Sequence, residues 1–484
     1  MSVTREYDLI IFGATGFTGQ YVVEEVARIA EEENITWAVA GRNIEKIKVG
    51  LENVEKQTGK SLKDVGVIKA DVGDLNSLNE MAKKGRIVLN CVGPYRFHGE
   101  AVVNACVKNG TNHLDISGEP QFLEKMQLDY HTAAKENNCY VVGACGFDSI
   151  PSDMGTVFLE QQFAGQVNTV EAYLNIKAEH GFHLNYGTWQ SAIHGFACAN
   201  ELKPLRKKLF PQRLPVMEPK LKSRGVLHQN PIVKSWCLPF PGSDRSVVMR
   251  SQRYFACANE LKPLRKKLFP QRLPVMEPKL KSRGVLHQNQ IVKSWCLPFP
   301  GSDRSVVMRS QRYFYEKEKK RPIQMAVYFQ CSSIIAAILT ILSAVVFGLL
   351  ASFKVGRSLL EKYPKVLSFG VFDHKGPTKK EIDGTSFVLT LVGKGWNEKL
   401  TEPTDAYSNK PEKELVVRVS GPELGYVTTP ICMIQAALVL LREADKLPSE
   451  GGVYPPGAAF AKTSLINRLI KNGINFETGL RSSL

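Results

Sequence analysis

A glycine-rich turn between a strand and a helix, close to the first residue, constrains the fold of this chain most strongly. The apolar run Tyr7–Phe12 has the composition of a buried strand, and Gly13-Ala-Thr-Gly-Phe-Thr-Gly19 follows it directly. Residues 20–29 then place apolar side chains at helical spacing. In this context the glycines allow a tight turn, a close approach to a pyrophosphate and close helix–strand packing. We therefore predict a dinucleotide site formed by Gly13, Thr15, Gly16, Phe17, Thr18 and Gly19.

The residue after the second predicted strand indicates which dinucleotide binds. Residues 35–40 form that strand, and Gly41-Arg42-Asn43 follows it. A site for NAD usually carries an acidic residue here, which binds the ribose 2′-hydroxyl. The guanidinium of Arg42 instead suits a 2′-phosphate by charge and by fork geometry. A solvated loop arginine is the alternative, but the sequence favours NADP(H) as the cofactor.

Strands and helices continue to alternate through the first 150 residues, which predicts a parallel sheet in a Rossmann-type domain. Ligands bind at the carboxyl ends of such strands. Three segments at these ends, 93–95, 117–119 and 145–148, are therefore expected on one rim. We also assign cofactor contacts at two further strand ends, to Asp71 after the third strand and to Gly93 and Pro94 after the fourth.

A tandem duplication explains the high net charge of +16. Residues 196–254 recur as 255–313 with one difference, Pro231 against Gln290. Each copy has 12 Lys or Arg and three acidic residues, so one copy supplies +9 of that charge. The charge therefore gives no basis for nucleic-acid binding. We interpret the pair as a recent exon duplication or an error in the gene model, not a repeat array, and expect one copy to loop out or pack poorly.

An uncharged run of 32 residues, 322–353, indicates contact with lipid. Its core, 332–351, has the roughly 20 residues that suffice to cross a bilayer as a helix. Basic residues flank both ends, which suits a segment dipping into one leaflet. We predict attachment to a membrane or lipid monolayer, with burial at a domain or dimer interface as the alternative.

The ten cysteines show no CxxC pair and no metal-ligand spacing, which favours a reduced intracellular setting and predicts no metal site. In the last third, residues 385–392 and 414–420 are predicted strands. Helices are predicted over 430–444 and, as an amphipathic surface helix, over 461–473.

Several motifs together resemble the saccharopine dehydrogenase-like oxidoreductases. Besides the glycine turn and Ala40-Gly-Arg42, they are Asn90-Cys-Val-Gly-Pro-Tyr95, Asp115-Ile-Ser-Gly-Glu119, Gly146-Phe-Asp-Ser-Ile-Pro151, Gly421-Pro-Glu423 and Gly452-Val-Tyr-Pro-Pro-Gly457. The resemblance implies an α/β protein with a second α+β lobe containing a mixed sheet, here residues 151–460 with substrate and homodimer contacts, followed by a C-terminal helix and tail, 461–484. It also implies association with lipid droplets or membranes, and a relation to bacterial enoyl reductases of lipid products.

A hydride transfer often needs a proton donor beside the nicotinamide. The Tyr-x-x-x-Lys spacing occurs at residues 173/177, 313/317 and 315/319, all outside the nucleotide domain, so none is credible as the catalytic pair. By position the candidates are Tyr95, His98, Asp115, Glu119 and Asp148, and we select Tyr95 and Asp115. A pocket wall or a structural carboxylate is the alternative for each. The predicted function is reduction of a lipid carbonyl or enoyl group with NADP(H), and a nucleotide-binding scaffold or sensor without turnover is the alternative.

Overall fold

The computed structural model describes residues 5–212, 226–238, 285–292, 294–298 and 302–479, with the isolated positions 214, 215, 217 and 219. The strands are β1 Tyr7–Phe12, β2 Trp37–Gly41, β3 Gly66–Lys69, β4 Gly85–Asn90, β5 Asn112–Asp115, β6 Tyr140–Val142, β7 Gln166–Ala178, β8 Leu184–Asn185, β9 Val226–Leu238, β10 Val285–Ile291, β11 Trp295–Pro298, β12 Gln324–Cys331, β13 Phe372–Asp373, β14 Thr385–Trp396, β15 Lys413–Pro422, β16 Gly452–Tyr454 and β17 Asn475–Thr478. The α-helices are α1 Phe17–Ile29, α2 Ile44–Thr58, α3 Leu75–Lys84, α4 Tyr95–Lys108, α5 Pro120–Glu136, α6 Ile150–Gln162, α7 Tyr186–Ala197, α8 Leu202–Leu209, α9 Asp303–Glu318, α10 Ile334–Ser352, α11 Lys354–Lys362, α12 Pro364–Leu367, α13 Lys379–Asp383, α14 Thr429–Arg442, α15 Pro456–Phe460 and α16 Leu465–Lys471.

A parallel sheet of seven strands, ordered β16-β6-β5-β4-β1-β2-β3, forms the first half of the molecule. Its central strands are apolar on both faces because helices cover both faces, and Leu9, Ile10 and Ile11 of β1 are fully buried. The predicted Rossmann-type sheet is confirmed. Its edge strand β16 comes from the last part of the chain and pairs with β6. The predicted division at residue 150 stays a prediction.

A second sheet has six strands in the order β11-β12-β7-β14-β15-β17. Strand β7 pairs parallel with β12 and antiparallel with β14, so the sheet is mixed, as predicted. The edge strand β17 lies within the stretch where the sequence predicts only a helix and tail. It is short and pairs with β15 along one side only, so tertiary pairing, and not a strong local pattern, defines it.

Helix α14 lies in the core that joins the two sheets. Twelve of its 14 residues are buried, and its side chains belong to one apolar cluster that also contains Leu9 of β1 and Leu391 of β14. The helix is apolar all round because it is covered all round. The two halves of the molecule therefore share one continuous core.

The duplication is divided between two places in the fold. From the first copy, α8 packs against α5, and Leu202 in it is fully buried. From the second copy, β11 pairs with β12, and α9 contributes the buried Val306. Strands β9 and β10, the same segment of each copy, pair in parallel, for example Val226 with Val285. The described core uses the first half of one copy and the second half of the other, and the expectation that one copy loops out or packs poorly falls largely on residues 239–284, which lie outside the described residues.

The uncharged run 322–353 is not one segment. Its first part is strand β12, whose parallel pairing with β7 requires an extended backbone, and its second part is helix α10. Only α10 remains available for lipid contact, which corrects the extent of the predicted membrane segment. The helix is exposed along most of its length, so it is not buried between domains of this chain.

The divided use of the duplication predicts different effects of matched substitutions. Leu202→Ala is expected to lower the free energy of unfolding by about 2 kcal/mol or more, because it opens a cavity beside α5. Val306→Ala is expected to lower it by about 1.6 kcal/mol, from two lost methyl groups. The same changes in the other copy, Leu261→Ala and Val247→Ala, are expected to lower it by less than their counterparts do, because Leu202 and Val306 fill the buried positions that the structure describes.

Chemical denaturation of the four variants tests this division. Equal losses for the two members of a pair would contradict it, as would a larger loss in Leu261→Ala than in Leu202→Ala.

Candidate functional site

The turn after β1 is built so that only glycine fits at two positions. Gly13 has φ +91°, in the left-handed region that favours glycine, and a Cβ there would lie 2.7 Å from Cγ2 of Val92. A Cβ on Gly19 would collide with the carbonyl oxygen of Gly13. The start of α1 is thereby held close to the end of β1. The predicted turn has the geometry that a dinucleotide site requires.

The N-terminus of α1 offers backbone donors to an anion. Gly16 is its N-cap and provides no side-chain cap, and the first turn contains no acidic residue. The amides at the start of a helix have no partner within the helix, and the helix dipole favours negative charge there. Thr15 is exposed and Thr18 half-buried beside this turn. These residues fit the pyrophosphate of a dinucleotide, the chemistry for which we selected them.

Phe17, a predicted cofactor contact, lies in an aromatic cluster. Its ring is 5.6 Å from that of Tyr21 and 4.8 Å from that of Tyr426, which follows β15. The side chain therefore links the glycine turn to the second half of the molecule. Cofactor contact by Phe17 stays a prediction.

Arg42 and Asp71 follow neighbouring strands, β2 and β3. Arg42 is exposed, and the next residue, Asn43, caps α2 by accepting a hydrogen bond from the amide of Lys46 at 2.9 Å. The Oδ1 atom of Asp71 accepts a hydrogen bond from the amide of Gly73 at 2.9 Å, which shapes the turn before α3. Both residues lie at the rim, as the sequence predicts. Contact of Arg42 with a 2′-phosphate and contact of Asp71 with the cofactor stay predictions, and the hydrogen bond of Asp71 stabilises the turn.

The loop Gly93-Pro94-Tyr95 leads from β4 into α4. The Tyr95 hydroxyl donates to the carbonyl of Asn90 at 2.9 Å, and burial raises its pKa well above the usual value. The amides of Tyr95 and Arg96 donate to the carboxylate of Glu119 at 2.9 and 3.0 Å. The N-terminus of α4 is therefore already occupied by a carboxylate, and Tyr95 is held by the fold.

Asp115 ends β5 and is only 1% exposed. Its Oδ1 accepts hydrogen bonds from the amides of Ser117 at 2.9 Å and Ala144 at 3.0 Å. Burial is the largest cause that raises its pKa, to about 6. The carboxylate joins the loops after β5 and β6 beneath the rim. These contacts suit a structural carboxylate, the alternative considered for Asp115.

Asp148 is the rim carboxylate that our selection of Tyr95 and Asp115 passed over. It is half-buried on the loop after β6, and a Cβ on Gly118 would lie 2.6 Å from its Oδ2. Burial alone raises its pKa to about 6, and no described residue donates a hydrogen bond to its carboxylate. Its place at a strand end made it a candidate, but the sequence could not show that its carboxylate is left unbonded.

Helix α7 connects the rim to the exposed helix α10. Ser191 of α7 donates to Glu119 at 2.9 Å, and Arg96 donates to the carbonyl of His194 at 2.9 Å. On its other side, the Trp189 ring lies 4.8 Å from that of Phe347 in α10. The apolar helix is therefore separated from the rim by one helix.

A parallel sheet with a glycine turn, an open helix N-terminus and an arginine at the second strand end defines a dinucleotide-binding protein, and a carboxyl at the rim is suited to proton transfer. A family model described as the saccharopine dehydrogenase NADP binding domain matches residues 9–142. The human saccharopine dehydrogenase-like oxidoreductase is 40% identical over 98% of this chain and 97% of its own length. The chain therefore belongs to the saccharopine dehydrogenase-like oxidoreductase family. It is an oxidoreductase, and its cofactor is NADP(H), as predicted.

Two further relatives have names that state different locations in the cell. A Caenorhabditis elegans protein named lipid droplet localized protein is 35% identical over 97% of this chain and 98% of its own length. An Arabidopsis thaliana protein named probable mitochondrial saccharopine dehydrogenase-like oxidoreductase is 34% identical over 97% of this chain and 96% of its own length.

The position of Arg42 predicts its effect on cofactor preference. Arg42→Ala is expected to weaken NADPH binding by roughly 10- to 150-fold, because a hydrogen bond to a charged group contributes about 1.5–3 kcal/mol. NADH binding, which lacks the 2′-phosphate, is expected to change little. Calorimetric titration measures both affinities. Arg86→Ala is the matched control, since Arg86 is exposed at the opposite end of the sheet and pairs with Asp8. Equal weakening for NADPH and NADH would contradict the assignment.

Proposed function

We propose that this enzyme reduces a carbonyl or enoyl group of a lipid that it takes from a membrane or lipid-droplet surface. One observation carries the proposal: an exposed, uncharged helix, α10, lies beside the helix that contacts the rim of the cofactor site. When bound, NADP(H) supplies the hydride. The residues of this chain bind and orient the lipid and hold the proton that completes the reduction.

The outward face of α10 is too apolar to be stable in contact with water. Small residues face the protein, and Ala337, Ala344 and Ala351 are buried at a spacing of seven. The bulky residues face outward: Ile335, Ile338, Leu339, Leu342, Val345, Val346 and Leu349. Full burial of such a side chain contributes about 1.5–3 kcal/mol. Seven of them are sufficient for stable attachment to a lipid surface.

The connections of α10 favour attachment to one leaflet. Strand β12 precedes the helix and β14 follows it, and both pair with β7 in the same sheet. The two ends of α10 therefore stay on one side of any lipid layer. The adjoining segment continues the same surface, because Val355, Val366 and Phe369 are exposed there together with the basic residues Lys354 and Lys365. Apolar and basic side chains in one surface suit an interface with lipid head groups.

We propose Asp148 as the proton donor. An acid that works near neutral pH needs a raised pKa and an unbonded carboxyl at the reacting centre. Asp148 has both, on the rim that the predicted parallel sheet offers to a ligand. The Asp115 carboxylate accepts two backbone hydrogen bonds, and the Tyr95 hydroxyl is bonded to a carbonyl.

The names of the two relatives support a lipid surface as the location of the protein more than they support one particular organelle. The worm relative's name gives a lipid droplet and the plant relative's name gives a mitochondrion. Both locations offer a lipid layer. We therefore propose an intracellular lipid surface as the site of action, with the chemistry of α10 as the determinant.

Replacing apolar residues of α10 is expected to abolish lipid attachment. In the double variant Leu342→Asp with Val346→Asp, two charges would enter the acyl region, at a cost of about 2.5–3.5 kcal/mol each. We expect at least a tenfold loss of protein floating with phosphatidylcholine-coated triacylglycerol droplets. The matched control is Val49→Asp with Leu75→Asp, two residues that are equally exposed outside α10. Equal flotation of the two double variants, with NADPH binding intact in both, would contradict the proposal.

The raised pKa of Asp148 predicts the pH dependence of reduction. The carboxyl is the proton donor only when protonated, so kcat/KM is expected to fall about tenfold per pH unit as the pH rises above about 6. Asp148→Asn is expected to remove this decline and to lower the rate roughly 10²- to 10⁴-fold.

Asp115→Asn is the control, because its pKa is also raised to about 6. If Asp115→Asn removes the decline and Asp148→Asn leaves it, Asp115 is the donor. If no lipid aldehyde, ketone or enoyl thioester oxidises NADPH, the proposed reaction is wrong.

A further inference from the structure

A polar cavity lies far from the glycine turn of the cofactor site. It has a volume of about 140 Å³ and is enclosed by α5, α9 and the loop 448–455. The adjoining edge strand β16 is separated from β1 by β6, β5 and β4. Four cationic side chains, Lys135, Arg309, Arg312 and Lys317, line this cavity together with the acidic Glu316 and Glu450.

Arg309 is a buried donor that the fold leaves incompletely bonded. It is 6% exposed, and its Nε donates to Oε1 of Gln127 at 2.7 Å. Its Nη1 has no hydrogen-bond partner among the described residues. The nearest carboxylates have other donors, because Glu124 binds Arg206 and Asp153 binds Ser310. Burial lowers the pKa of Arg309 to about 10, so the guanidinium stays charged at neutral pH. A buried charged donor without a partner is costly unless a ligand bonds it.

The charges around the cavity do not cancel. Lys135 pairs with Glu450, and Arg312 pairs with Glu316 at 2.7 Å. Arg309 and Lys317 form no ion pair with any described residue. Glu124, Asp153 and Asp115 lie near enough to Arg309 to favour its charged form, but the lack of a direct ion-pair partner for either cation among the described residues suits an anionic ligand. The volume is below the roughly 300–1,000 Å³ of sites for drug-sized ligands, so a single small group fits.

We propose that this cavity binds a phosphate group, either as inorganic phosphate or as the head of a small phosphate monoester. Arginine forks and lysine charges are the usual partners of phosphate oxygens. Both copies of the duplication build the site. Arg309 and Arg312 belong to the second copy, whereas Phe210 of the first copy stacks under Arg312 at 4.4 Å and Gln212 accepts a hydrogen bond from it.

The test uses the full-length protein saturated with NADPH, so that the 2′-phosphate position is occupied. Calorimetric titration with inorganic phosphate and, separately, with glycerol 3-phosphate distinguishes a free anion from a head group. We expect saturable binding at one site per chain in at least one titration. Arg309→Met and Lys317→Gln are each expected to weaken it at least tenfold, because each removes a cationic donor that has no direct ion-pair partner among the described residues.

Two matched controls make the result decisive. Arg250 is the counterpart of Arg309 in the first copy, and Arg250→Met is expected to leave phosphate binding unchanged. Lys319→Gln makes the same charge change outside the cavity lining and is also expected to have no effect. If Arg309→Met fails to fold, the exposed Lys317 decides the outcome. The proposal is overturned if neither ligand binds saturably, if Lys317→Gln binds like the original protein, or if the controls weaken binding as much as the cavity variants.

Discussion

One buried carboxylate, that of Glu124, holds together the parts of the chain that the duplication separates. The side chain is buried in α5, and a charge in that position requires partners. Arg206 of the first copy donates to it from α8 at 2.6 Å, and Ser305 of the second copy donates to it from α9 at 2.8 Å. Each copy contains an Arg and a Ser at these two positions, but the Glu124 carboxylate binds one Arg and one Ser. Glu124 therefore joins the first half of one copy to the second half of the other.

The capping of two helix N-termini, those of α4 and α1, determines where an anion can bind at the rim. The start of α4 is filled by Glu119, which accepts from two of its amides. The start of α1 has no such cap. An anionic ligand is therefore directed to α1, where Gly13 and Gly19 keep the backbone close to the strand end. A second carboxylate at the same rim, Asp148, accepts no hydrogen bond from any described residue, and this contrast with Asp115 is the reason for proposing Asp148 as the proton donor.

The sequence was sufficient for the features that depend on local patterns. The turn at Gly13–Gly19, the parallel sheet, the mixed sheet and the cofactor class follow from apolar runs, glycine spacing and the strand-end Arg42. The division of the duplication was beyond it, because identical copies have identical local preferences and only tertiary contacts distinguish their places. The strand β12 was hidden in a long uncharged run, since its pairing partner β7 is about 150 residues earlier. The difference between Asp115 and Asp148 depends on which backbone amides approach each carboxylate, and no spacing encodes that.

In the function that we propose, α7 couples lipid contact to reduction. The same helix donates from Ser191 to Glu119 at the rim and packs Trp189 against Phe347 of α10. Glu119 in turn fixes the first turn of α4, so the position of α10 bears on the loop that forms one wall of the site. In the proposed function a lipid leaving the layer beside α10 would cross the width of α7 to reach the rim. A soluble substrate would not require an uncharged helix of 19 residues at that position. The exposed α10 is thus better explained as the approach to the site than as an anchor unrelated to it.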